Sequence, residues 1–169
     1  MSADFQRTAP PAKGSERELL EAFLDYHRQT LEWKCSGLTP DQLKTAAVPP
    51  SPMTLLGLLR HLAGAERYWF DTVLLGGSGS AVYDGEDPWD DLNKHDADEV
   101  LRRWKQTCAT SRRNASSAPT LDQPAARPRP WDRETVTLRW IMIHLIEEYA
   151  RHNGHADVLR ERIDGETGE

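Results

Sequence analysis

Cysteine is scarce in this chain: Cys35 and Cys108 are the two present, far apart and neither in a C-x-x-C pair. That excludes a disulfide framework and a thiolate zinc knuckle, and it suits a reducing, cytoplasmic setting. Long apolar runs are missing too. No window approaches the roughly 18 apolar residues of a membrane span. The opening MSADFQRTAPPAKGS has no apolar stretch of signal-peptide length, so a soluble protein that stays in the cytoplasm is expected. Basic residues are in deficit, giving a net charge of −6 with acids and bases interspersed, and nucleic acid is not an expected partner. Convincing strand patterns are absent, as is any internal repeat. At 169 residues the chain is long enough to bury a sizeable core as one domain without covalent staples.

Helical periodicity fills the space these absences leave. Residues 1–14 read as a disordered lead-in. Ser15 and Glu18 then have the spacing of a capping box, and Leu20, Phe23, Leu24, His27 and Leu31 recur at helical steps, so a first helix is predicted over Glu16–Cys35. Gly37 stops it, and Thr39-Pro40 opens a further turn or two before Pro49-Pro50. A second helix starts at Ser51–Thr54 and runs to about Leu75, with Leu55, Leu58, Leu59, Leu62, Ala65, Tyr68 and Trp69 on a wide apolar face. The acidic segment Tyr83–Lys94 reads as a long loop from which Trp89 could pack back onto the body. A third helix is expected over Asp98–Ala115, an irregular crossover over residues 116–134, and a fourth helix from Thr135–Thr137 to about Arg162. The fold expectation is therefore all-α: a four-helix bundle over residues 15–165, with long connections after helices two and three and a tail at 166–169.

The fourth helix carries the unusual chemistry. At about 100° per residue, Ile141, Leu145, Glu148, His152, His155 and Leu159 share one stripe, and its apolar members point it at the core. A carboxylate carried inward needs compensation, and one compensator is a cation that it ligates together with a neighbouring imidazole. Glu148 and His152 are spaced i, i+4, which stacks them on adjacent turns. His61, near the middle of the strongly apolar second helix, is the natural third ligand. Two imidazoles and one carboxylate suit a divalent metal, zinc first and nickel or ferrous iron after it, and three protein ligands leave a position open for substrate. Such a site should lose affinity below about pH 6.5, where imidazole protonates. The competing reading is structural, since inward histidines are commonly hydrogen-bonded core residues. His144 and His155 lie near the stripe and stand as alternative ligands or as hydrogen-bond partners behind a ligand. His27 reads equally as a satisfied core residue or a functional one, His95 as a loop residue, Glu147 as solvent-facing, the tryptophans and Tyr68 as core, and Gly154 as a close-packing point between helices.

Two motifs taken together add a resemblance. LLGLLRHLAGAERYWF (Leu55 to Phe70) and LRWIMIHLIEEYARHNGHADVLRERIDG (Leu138 to Gly165) resemble the DinB superfamily. The branch they resemble includes mycothiol-dependent transferases and the N-terminal domain of mycothiol-dependent maleylpyruvate isomerase. The likeness covers nearly all of residues 15–165. It implies a bundle holding a divalent metal through one helix-two histidine, matching His61, and an i, i+4 pair on the last helix. Many members have His-x-x-x-His in that pair, whereas here Glu148 precedes His152, as in the isomerase branch.

What the resemblance implies functionally is a metal-dependent thiol S-transferase using mycothiol, in which a metal-bound thiolate attacks an electrophilic small molecule in detoxification or thiol metabolism. Neither Cys35 nor Cys108 is then the nucleophile, and Arg or Trp residues near the mouth would bind the sugar part of the thiol. A mycothiol-dependent isomerase is the nearest alternative, disfavoured because the chain ends near the bundle. A non-enzymatic metal-binding or stress-related bundle is another. A homodimer is the expected assembly, since bundles with a broad apolar face often pair.

Overall fold

Every long helix begins where the sequence supplies a cap. The computed structural model describes residues 6–78 and 87–168. Helix α1 (Glu16–Cys35) opens on a reciprocal capping box: the Ser15 hydroxyl accepts from the Glu18 amide, and the Glu18 carboxylate accepts from the Ser15 amide at 2.8 Å. Thr39 and Gln42 repeat the arrangement at the single-turn helix α2 (Pro40–Leu43). Thr54 caps α3 (Leu55–Arg67), Asp96 caps α4 (Ala97–Ser117) and Thr137 caps α5 (Leu138–Asp164). Gly76 and Gly165, at φ of 75° and 80°, end the second and last of the long helical segments in the left-handed region that glycine tolerates.

The chain is thus all-α, with five α-helices among the described residues because the turn after Thr39 is a helix of its own. No β-strand occurs among the described residues, where one isolated bridge joins Pro124 to Thr137. None of the helices is long and apolar enough to cross a membrane, among the same residues. The expected second helix does reach Leu75, but not as one regular α-helix. After Arg67 it widens into a π-helical turn, Tyr68–Val73, before resuming. The carbonyls of Val73 and Leu74 accept from the amides of Arg127 and Ala126, so the crossover 118–137 is tied to this turn.

Contacts along the axes give the topology. Arg139 meets Glu16, Asn153 meets His27 and Arg160 reaches the Lys34 carbonyl, so α1 and α5 run parallel. Trp69 beside His144 and Glu66 beside Tyr149 make α3 antiparallel to α5, and Asn114 to Phe70 with Ser111 to Glu66 makes α4 parallel to α3. Helix α3 is central: Leu55, Leu56, Leu58, Leu59 and Leu62 are all wholly buried, each worth about 1.5–3 kcal/mol of apolar burial. Leu31 of α1 and Leu138, Ile141 and Leu145 of α5 close on it.

Arg7 and Thr8 near the start of the described residues, and Gly168 at their end, lie against α1. Residues 6–14 hold no helix, but they are not the free lead-in expected: Arg7 stacks over Tyr26 and Trp33 and donates to Thr30, and the Thr8 amide donates to Gln29. Residues 1–5 of that expected lead-in, and 83–86 of the expected acidic loop, lie outside the described residues. Gly154, expected to let helices approach, is exposed and has open space where a Cβ would stand. A glycine that does permit a close approach within a helix is Gly57, against Trp89.

Candidate metal centre

The antiparallel pairing of α3 with α5 brings His61 opposite Glu148 and His152. The Nε2 atoms of both histidines converge on one carboxylate oxygen, Glu148 Oε2, at 3.5 Å from His61 and 3.4 Å from His152. The two imidazole rings meet edge to face with centroids 4.6 Å apart. One ligand atom from each of the three residues lies within 4.8 Å of the others. Atoms bound about 2.0–2.1 Å from a tetrahedral zinc sit roughly 3.4 Å from one another, so the spacing fits a cation at the centre of the group.

The electrostatics agree with the spacing. His61 Nε2 is buried without a hydrogen-bond partner, an orphaned atom of the kind that a bound ion satisfies. Burial, and then proximity to His61, lowers the pKa of His152 to about 4, which keeps the imidazole in the neutral form that ligates. The Glu148 side chain is 16% exposed, and its other oxygen, Oε1, lies 3.7 Å from the Arg151 guanidinium at the rim.

Aromatic rings flank the group. On one side Trp89 stacks on His61 with centroids 6.4 Å apart. It reaches there because Gly57 has no side chain and because Arg60, itself buried, donates to the carbonyls of Pro88 and Asp90. The loop expectation for Trp89 packing back onto the body is thereby met. On the other side His144 stacks on Trp140 at 4.9 Å and meets the edge of Trp69. Trp131, largely exposed, extends this wall.

The remaining histidines separate by position. His144, Glu147 and Glu148 form a second group of potential ligands, in which Arg151 pairs with both carboxylates and His144 Nδ1 lies 3.7 Å from Glu147. His155 is half-buried with Nδ1 3.3 Å from Nδ1 of His152. His27 is held to α5 through Asn153, and His95 follows the short turn Leu92–Lys94 in the loop before α4. Glu147 is exposed, as the sequence suggested.

Behind the site lies a buried polar network that sequence reasoning missed. Arg28 donates Nε and Nη2 to the two oxygens of Glu66 at 2.7 and 2.8 Å, and Tyr149 donates its hydroxyl to Glu66 at 2.9 Å. Trp104 donates to the Tyr149 hydroxyl, and the Cys108 thiol lies against Glu66 and Tyr149. Burial opposes ionisation of Glu66, but the Arg28 guanidinium outweighs it and holds the carboxyl below the ordinary carboxylate range. The signal was present: Glu66 falls on the Leu59, Leu62, Phe70 stripe and Arg28 on the Leu24, Leu31, Cys35 stripe, each a charge on an apolar face. Both thiols are buried, and burial raises the Cys35 pKa to about 12 and pushes that of Cys108 higher still. No curated protein matches the chain. A family model described as Mycothiol-S-transferase matches residues 19–165, a span that includes all five helices but the first turn of α1.

Proposed function

The chain belongs to the mycothiol-S-transferase family, and from that premise we propose that it is a divalent-metal-dependent transferase that joins the sulfur of mycothiol to an electrophilic small molecule. The observation that carries the metal part of this reading is the convergence of His61 Nε2 and His152 Nε2 on Glu148 Oε2. His61, Glu148 and His152 would hold the ion, with zinc the best match to two imidazoles and a carboxylate. When bound, the ion supplies a Lewis acid beside which the thiolate is favoured over the thiol.

The protein's own groups divide the remaining work. Trp89 on one side and His144 with Trp69 and Trp140 on the other limit water around the three ligands and leave the approach to be made past Arg151 and Trp131. Arg151, exposed and paired with Glu147 and Glu148, is a cation at the rim placed to meet the polar part of the thiol. In the transfer, a carbon–sulfur bond forms to the electrophilic carbon, the leaving group departs with its electron pair, and the thiol proton passes to solvent. Cys35 and Cys108 are buried and held as thiols, so the sulfur comes from the cosubstrate.

Metal content of the untagged protein and mycothiol-dependent consumption of a reactive electrophile test this together. The parent should carry near-stoichiometric metal and turn over, while His61→Ala and His152→Ala, folded by circular dichroism, should lose both. Metal without thiol-dependent turnover would leave a binding protein. No metal after incubation with zinc or nickel would overturn the metal-dependent reading.

A further inference from the structure

We propose that His155 is a positioning residue that fixes the tautomer of His152 and thereby aims the lone pair of His152 Nε2 into the metal-binding group. The inference rests on the metal reading above. Its geometry is separate: the Nδ1 atoms of His152 and His155 stand 3.3 Å apart, with ring centroids at 5.3 Å. Two neutral imidazoles that bond through these atoms share one proton between them, so one Nδ1 donates and the other accepts. If His152 is the donor, its proton is on Nδ1 and Nε2 carries the lone pair. If His155 is the donor, the proton of His152 sits on Nε2 and that atom cannot ligate.

The surroundings make the choice matter. Glu148 Oε2, 3.4 Å from His152 Nε2, is an acceptor that by itself favours a proton on Nε2, the non-ligating tautomer. An acceptor on the opposite side of the ring is needed to draw the proton to Nδ1, and His155 Nδ1 is placed to be it. The i, i+3 spacing sets both rings on the same side of α5, and buried Ala156 and Leu159 hold that turn of the helix against the core. His144 does not have this relation to a ligand. Its ring lies flat on Trp140, and its Nδ1 looks to Glu147. His27 reaches α5 only through Asn153.

Two substitutions separate positioning from mere packing. In His155→Asn the side-chain oxygen takes the place of Nδ1 as an acceptor, whereas His155→Leu retains bulk and accepts nothing. On full-length protein stripped of metal and titrated with zinc against a chromophoric chelator, His155→Leu should bind about 10–100-fold more weakly, the usual cost of losing the group that orients a ligating histidine. His155→Asn should stay close to the parent. Nitrogen chemical shifts of the metal-free parent should show His152 protonated on Nδ1 and His155 on Nε2, with His152 reversed in His155→Leu. Parent-like zinc affinity in His155→Leu, or equal losses in both variants, would overturn the inference. So would His152 protonated on Nε2 in the parent. Should the parent fail to bind zinc at all, the metal reading falls, and the same spectra still decide which histidine donates.

Discussion

Replacing Arg28 by methionine removes the cation from a carboxylate that has no water to turn to. Glu66 is wholly inaccessible and Arg28 nearly so, and the pair is joined by two hydrogen bonds of 2.7 and 2.8 Å. Breaking a buried pair from one side typically costs about 3–5 kcal/mol, because the charge left behind has lost its compensation. With a urea slope of about 1–3 kcal/mol per molar, the unfolding midpoint should fall by at least about 1 M. The pH dependence sharpens the test. In the parent the Glu66 pKa is lowered, so its contribution to stability is present above the unfolded carboxyl value of about 4.3 and is lost as pH falls through the folded value. In Arg28→Met the Tyr149 hydroxyl still donates to Glu66, but the cation that outweighed burial is gone and the pKa rises, so the variant is penalised most at neutral pH and least where Glu66 is protonated. The stability gap between parent and variant, followed by circular dichroism in urea, should therefore shrink as pH is lowered from 8 toward 4. Removing both charges, as Arg28→Met with Glu66→Leu, should cost less than Arg28→Met alone. A gap below about 1 kcal/mol at neutral pH, or one that widens in acid, would refute the argument.

Three further outcomes are expected. Gly57→Ala sets a Cβ that overlaps the Trp89 ring, with Cζ3 at 2.5 Å, so Trp89 must move off His61. The helix gains up to about 1 kcal/mol from alanine while overpacking costs about 1–3. Overall stability should change little or fall slightly while the Trp89 indole resonance shifts; an unmoved resonance would argue against the packing described. Cys35 and Cys108 should both resist an exchange reagent such as Ellman's at pH 8 in the native protein and both react in denaturant, and prompt native labelling of either would contradict their burial. Thr54→Ala should destabilise by about 1 kcal/mol in urea titration, because the wholly buried Thr54 hydroxyl caps α3 by accepting from the Gly57 amide at 3.0 Å, and an unaffected midpoint would remove the cap from the account.

What could be read in advance divides along a physical line. Helix starts were legible because Ser15, Thr39 and Asp96 act on amides two or three residues away, and such local bonds leave a sequence signature. The meeting of His61 with Glu148 and His152 was legible only in part. Each residue announces its own stripe, but the axial register that sets them opposite one another comes from packing the two helices together. Arg28 and Glu66 went unread for the same reason, since each looks like an isolated charge until the partner helix is placed. The widened turn Tyr68–Val73 has no local marker, and the carbonyls of Val73 at its end and Leu74 just beyond it find their donors in Arg127 and Ala126 far along the chain. Gly154 misled because glycine at helical spacing can mark either a close approach or an exposed face, and only the neighbouring surface decides.

The antiparallel meeting of α3 with α5 also orders events in time. His61 belongs to a helix made early in synthesis, whereas Glu148 and His152 belong to the last one, so no partial chain ending before α5 brings the three proposed ligands together. Contacts so distant in sequence form only after the long intervening loops have closed, at a cost in chain entropy that nearby contacts escape. An ion seated there would join the helix that waits to the helix that arrives. Metal capture during refolding should accordingly lag behind the recovery of helical signal, and it would serve as a clock for the docking of α5 rather than for the formation of the helices themselves.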